Sequence, residues 1–212
     1  MKHSIGYFSL LAFASLLAGC MGDGDSGASA KVDVDELATG AYSVSIGDID
    51  APTVGNYYAS ADGSRLLVVN DGEDKASRLY RRGAADKDWV AVPTTTADVS
   101  ITLLNSIALP IDVVPDLTGS YVARIDADTI AKFSIVNGII KAGDTRCKLS
   151  GHVSDDALPN TLKLNLMAAN CGSILPAASA GAIFIDSDYA PAKFRMLADD
   201  GEIVVDLWAY AE

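Results

Sequence analysis

His152 is one of only two histidines among the 212 residues, the other being His3, so any proton shuttle in the folded chain would fall to it. A Ser-His-Asp arrangement needs an imidazole that takes the nucleophile's proton and returns it to the leaving group. His152 follows Ser150-Gly151, and Asp155 and Asp156 lie close behind. It reads as a strand residue between Gly151 and Val153, however, and no Gly-x-Ser-x-Gly elbow accompanies it. A non-catalytic His152 is the expectation. Asp186, Asp188, Asp199, Asp200 and Glu202 could supply the acid and base of a glycosidase. They fall between apolar stretches, where Asp is favoured because it caps its own backbone, and they read as turn charges. Asn70-Asp71-Gly72-Glu73-Asp74 offers closely spaced oxygens to a hard cation but lacks the spacing of an EF-hand loop, so a hairpin turn is expected. The sequence assigns no catalytic residue, no cofactor and no metal ligand, and the chain is not read as an enzyme.

Two further groups carry chemistry of a structural or binding kind. Cys147 and Cys171 are an even pair in a chain read below as exported, which points to one disulfide. Closing that loop would contribute roughly 3 to 3.5 kcal/mol on chain-entropy grounds. A zinc site is the alternative, but His152 is the only imidazole nearby, so the site would have to borrow carboxylates. The one basic cluster is Lys75, Arg78, Arg81 and Arg82. On a strand Arg78, Tyr80 and Arg82 share a face, a candidate strip for holding a carboxylate or phosphate. The other reading is a charged edge strand protected against aggregation.

The N-terminus says where such groups would work. Lys2 is followed by an apolar run, Ile5 to Leu17, too short to span a bilayer as a mature helix, and the run ends Leu17-Ala18-Gly19-Cys20. This segment resembles the signal peptide and lipobox of bacterial lipoproteins. The resemblance implies cleavage after residue 19 and lipidation of Cys20. Two or three acyl chains would then hold the protein on its membrane, where one would hold it weakly. Met21 stands where Asp would favour inner-membrane retention, so an outer-membrane, lipid-anchored location facing the periplasm or the surface is expected. Residues 20–38 open with small and polar residues and read as the lipidated cysteine and a flexible tether. The formal charge of −12 becomes −13 once Lys2 leaves with residues 1–19. So acidic a chain repels phosphate backbones, which argues against nucleic acid as a partner.

Beyond the tether the pattern is short and period-two. Tyr42, Val44 and Ile46 alternate with serines, and strands read at Ser77–Arg81, Trp89–Val92 and Val99–Leu104. Others read at Tyr121–Ile125, Ala131–Val136, Ile139–Ala142, Cys147–Val153, Thr161–Met167, Gly181–Ile185, Ala192–Leu197 and Glu202–Tyr210. Asp62-Gly63, Asn137-Gly138 and Asp200-Gly201 mark tight turns between them. The expected fold is all-β, an antiparallel meander closing as small barrels or sandwiches. Thr39-Gly-Ala-Tyr42 and Thr118-Gly-Ser-Tyr121 form a short repeat that divides the chain into a first β unit, 39–115, and a second, 116–212. Pro110 and Pro115 sit at the boundary, where they interrupt ladder pairing. In its strand spacing and Gly-x-Tyr opening, the second unit is similar in outline to avidin and lipocalin-type barrels. The functional expectation is a cell-envelope lipoprotein that binds an envelope protein or small ligand without catalysis. The alternative is a small-molecule or lipid carrier with a cavity in the second unit.

Overall fold

The computed structural model describes residues 30–111 and 113–212. The segment expected to be a signal peptide, Cys20 and the expected tether up to residue 29 lie outside the described residues. The described chain is nearly all β, its one helical element being a 3-10 turn at Ser187–Tyr189. None of its helices is long and apolar enough to cross a membrane.

The second unit is a closed barrel of eight antiparallel strands: β9 (Gly119–Arg124), β10 (Ile130–Val136), β11 (Ile139–Ala142), β12 (Lys148–Asp155), β13 (Thr161–Ala169), β14 (Ala178–Phe184), β15 (Phe194–Asp199) and β16 (Val204–Ala211). Each pairs with the next, and β16 returns to β9 through Ala209↔Ala123 and Tyr210↔Val122. Alternation places one set of side chains inside. Tyr121, Phe133 and Phe194 meet there at centroid distances of 4.8 to 6.5 Å, and Leu149, Leu164, Ile183 and Met196 are fully buried around them. Eight strands leave an interior that side chains can fill, and here aromatic and aliphatic groups occupy it. Asn137 and Gly138, with φ of 51° and 73°, make the tight turn between β10 and β11 that their types predict. At Gly151 a Cβ would sit 2.0 Å from the Asn165 carbonyl oxygen, so only glycine lets β12 and β13 approach there.

The first unit is the same meander left open. It contains β1 (Val32–Val34), β2 (Gly40–Asp48), β3 (Ala51–Ala59), β4 (Arg65–Asn70), β5 (Ala76–Arg82), β6 (Val90–Val92), β7 (Val99–Ile101) and β8 (Leu103–Ala108). The sheet order is β6-β5-β4-β3-β2-β8, so the last strand returns to the first long one, as β16 returns to β9. β6 and β8 do not meet, and β1 pairs with β7 as a separate parallel ribbon. The Thr-Gly-x-Tyr repeat has a structural counterpart. Tyr42 folds over Gly40 and Tyr121 over Gly119, close enough that a Cβ on either glycine would lie 3.1 to 3.2 Å from its tyrosine.

Two expectations need correction. The tether is shorter than its composition implied: Val32 and Val34 alternate with Asp33 and Asp35, and both valines are buried with Tyr57, Tyr80 and Trp89. Only the stretch before residue 30 remains outside the described fold. The single strand expected at Val99–Leu104 is two strands, because the chain leaves β1 at Thr102 to join β2, with a register shift opposite Ser45 and Ile46.

The units share a third core, where Tyr58, Leu66, Val68, Leu79 and Val92 of the sheet pack on Ala182, Phe184 and Leu197 of the barrel wall. Strands β4 and β15 are therefore buried on both faces, which accounts for Leu66-Leu67-Val68-Val69 being apolar without a break.

Candidate functional site

Where the sheet diverges from the barrel, a cleft of about 900 Å³ opens between the two units. One wall is β4, β5 and the turn after them, with Leu66, Leu79, Arg65, Arg81 and Arg82. The other is the outer face of β13 to β15, where Lys163, Asn165 and Met167 stand beside Ala178, Ala180 and Ala182. Register explains the second wall. Ala180 lies opposite both Asn165 and Asp199, and the outward positions of β14 within the cleft, Ala178, Ala180 and Ala182, carry only methyl groups, so that stretch forms a trough between longer side chains. The floor is aliphatic and the rim carries both signs of charge, with Asp156, Asp199 and Asp200 facing the cations. Concave, largely apolar sites with a few polar groups, set between domains, are the usual form of a binding cleft.

The cleft is held open by ties along one side. Arg81 Nη2 lies 3.2 Å from Asp199 Oδ1 across the units, and Thr94 Oγ1 donates to Glu202 Oε1 at 2.8 Å. The strongest tie is a buried ion pair between β15 and β16. Arg195 donates from Nε and Nη2 to the two oxygens of Asp206 at 2.8 and 2.7 Å, and its side chain is 4% exposed against 1% for Asp206. Nη2 also donates to Asn70 Oδ1 and the Asp74 carbonyl of the first unit at 3.1 Å each, while the Ala76 N–H donates to Asp206 at 2.7 Å. The guanidinium lies 5.0 Å from the Trp208 ring centre, and Tyr189 meets that ring edge-on. Burial is the largest single influence and works against the Arg195 charge, but the hydrogen bond and the charge of Asp206, with smaller contributions from Tyr189 and Tyr58, together outweigh it and raise the guanidinium above its ordinary value. Beside this network burial pushes the Tyr58 hydroxyl well above its ordinary range, and the neighbouring Tyr189 phenol adds to the effect.

The residues singled out by type lie elsewhere. Cys147 and Cys171 form a disulfide joining the start of β12 to the loop after β13. His152 is exposed on β12, opposite Ile139 and Asn165. Asp186 caps the 3-10 turn by accepting from the Asp188 N–H, and Asp200 accepts from the Glu202 and Ile203 N–H groups. Asp71 likewise caps a turn through Glu73 and Lys75, while Asn70 is engaged by Arg195. Among the described residues no three His, Cys, Asp or Glu side chains converge as metal ligands. The Arg78-Tyr80-Arg82 strip lies on one face of β5, but Tyr80 is buried in the first unit's core. Arg82 pairs with Glu36 at 2.7 Å and lies over the Trp89 ring at 5.2 Å.

Sequence reasoning missed Lys163, Asn165, Met167 and the alanines of β14. Their one signal is the small-residue run Ala177-Ala-Ser-Ala-Gly-Ala182, which does not say what faces it. No family model, curated protein or solved structure matches the chain.

Proposed function

We propose that the chain is a lipid-anchored cell-envelope protein of the outer membrane whose folded part works by non-catalytic binding, through the cleft between its two β units. The observation that carries this is the contrast between cleft and barrel. The barrel interior is occupied by its own aromatic and aliphatic side chains, while the inter-unit cleft offers about 900 Å³ with an aliphatic floor and a charged rim. A carrier of the lipocalin or avidin kind needs an open barrel, so a small ligand or an envelope-protein segment would be held between the units instead. The carboxylates and His152 favour binding over catalysis, since the former are engaged in turn caps and inter-unit ties and the latter, beside Asn165 on the neighbouring strand, is not among the groups that line the cleft. Anchoring rests on the Leu17-Ala18-Gly19-Cys20 boundary.

The test is complementation of a deletion strain. Ala180 is exposed in the trough, so Ala180→Arg fills the cleft without disturbing a core. It should abolish complementation at unchanged protein level, while His152→Ala should complement fully. Full complementation by Ala180→Arg would remove the cleft from the function, and loss with His152→Ala would point back to catalysis.

A further inference from the structure

The width of the inter-unit cleft follows from strand spacing. Its barrel wall is β13, β14 and β15, so the long outward side chains of β13 and β15 stand two inter-strand steps apart, about 9.5 Å. Ala178, Ala180 and Ala182 lie on β14 between them and span about 13 Å of strand. Leu66 and Leu79 of the first unit form the opposite wall, while Leu158, Met167 and Leu197 add apolar surface at the sides. Apolar carbon atoms pack at about 3.5–4.0 Å, so a slot of this width, narrowed by its flanking side chains, takes one extended hydrocarbon chain and not two side by side.

Around that slot the carboxylates are engaged and the cations are not equally so. Each rim carboxylate accepts a hydrogen bond within the chain: Asp86 from the Gly83 N–H, Asp156 from the Thr161 hydroxyl, Asp199 from Arg81 and the Gly201 N–H, and Asp200 from the Glu202 N–H. Arg65 and Arg82 are likewise taken, since both pair with Glu36. Arg81 gives Asp199 only Nη2, and its side chain is 49% exposed. Lys163, across the slot, makes no hydrogen bond or ion pair among the described residues, although its ammonium carries only donors. Register places Lys163 beside Ala182, and Asp199, the partner of Arg81, beside Ala180. The two open cations therefore flank neighbouring outward positions of the slot from opposite sides.

We propose, resting on the reading of this cleft as the binding site, that it takes a single-chain anionic amphiphile: one linear hydrocarbon chain ending in a carboxylate or phosphate. The chain lies along Ala178–Ala182 against Leu66 and Leu79, and the head sits between the Lys163 ammonium and the free N–H groups of Arg81. Charge selects this head. An anion meets donors that have no other partner, and hydrogen bonds between ionised groups are the strong ones. A cationic head would have to share each rim carboxylate with the donor that already holds it.

The experiment uses the full chain in isolated membranes and a dodecanoate that carries a diazirine near the end of its chain. Irradiation should place adducts on peptides of β13, β14 or β4–β5. Excess dodecanoate or dodecyl phosphate should remove them, the more effective competitor identifying the head, while dodecyltrimethylammonium should not. Lys163 is exposed, so Lys163→Met leaves the cores intact, and loss of its charge-assisted contact should reduce the cleft adducts at least about tenfold. Lys163→Arg should retain them. Equal competition by dodecyltrimethylammonium, undiminished adducts in Lys163→Met, or adducts spread equally over β10 and β11 overturns the proposal. Absence of cleft adducts overturns it too, and the cleft keeps its role if Ala180→Arg still abolishes complementation. Specific cleft adducts together with full complementation by Ala180→Arg would instead uphold the ligand class and remove the functional reading.

Discussion

Removing the guanidinium of Arg195 should destabilise the fold more than any other single change at the surface between the units. Four hydrogen bonds leave with it, two to Asp206 and one each to Asn70 and the Asp74 carbonyl, and the Asp206 carboxylate stays behind with the Ala76 N–H as its remaining donor. Stranding one charge of a buried pair costs about 3–5 kcal/mol, and a chain of this length loses about 2–4 °C of Tm per kcal/mol, so Arg195→Met should lower Tm by about 6–20 °C. Asp206→Asn, which strands the cation, should fall in the same range. The double variant Arg195→Met with Asp206→Leu should cost well under the sum, because neither charge is then stranded. The assay is urea unfolding of the chain from residue 21, followed by tryptophan fluorescence. Trp89 lies in the first unit's core and Trp208 under the Arg195 guanidinium, so each half has a reporter. A single variant within about 1 kcal/mol of wild type, or a double variant equal to the sum of the singles, would refute the reasoning.

Other expectations follow from the turns, the disulfide and the N-terminus. Asp62, Asp71, Asp116, Asp126 and Asp200 are held below the usual carboxylate range chiefly by hydrogen bonds from turn N–H groups or, for Asp116, from Thr118. A folded pKa below the unfolded one gives stability that is present above about pH 4 and lost as pH falls through the folded value, so Tm should drop on acidification below pH 4. Asp71→Asn keeps a capping oxygen and should make that acid limb shallower. Replacing Cys147 and Cys171 by serine should cost about 3.5 kcal/mol in urea midpoint analysis, and non-reducing peptide mapping of wild type should recover the cross-linked pair. An acyl-chain probe fed to cells should label wild type and not Cys20→Ser; label retained by that variant would remove the anchor from the account.

Much of the fold was legible because strands announce themselves by alternation and turns by residue type. Asn137-Gly138 and Ile139–Ala142 fall where their sequence places them, and the Thr-Gly-x-Tyr repeat marks the first strand of each meander, β2 and β9. Val32–Val34 was hidden inside a polar, Asp-rich stretch, where two valines suffice to make a strand because a ribbon partner, β7, stands ready for them. The candidate site was not legible at all. Alanine on a strand fits an outer wall or a packed interface equally well, and Ala178 and Ala180 become the floor of a cleft only because β4 and β5, about a hundred residues earlier, stand over them. The same holds for Arg195, whose partners Asn70 and Asp206 lie 125 and 11 residues away, at distances no local pattern encodes.

The central claim, that the protein works by binding in the inter-unit cleft, is tested most directly by scanning exposed positions for complementation of a deletion strain with protein level measured alongside. Exposed cleft positions Lys163, Asn165, Met167, Ala178 and Ala180 should be intolerant of charge-reversing or bulky substitutions, while Ile130 on β10 and Lys141 on β11, on the barrel wall away from β14, should accept them. Equal tolerance on the two walls, in variants that accumulate normally, would contradict the account.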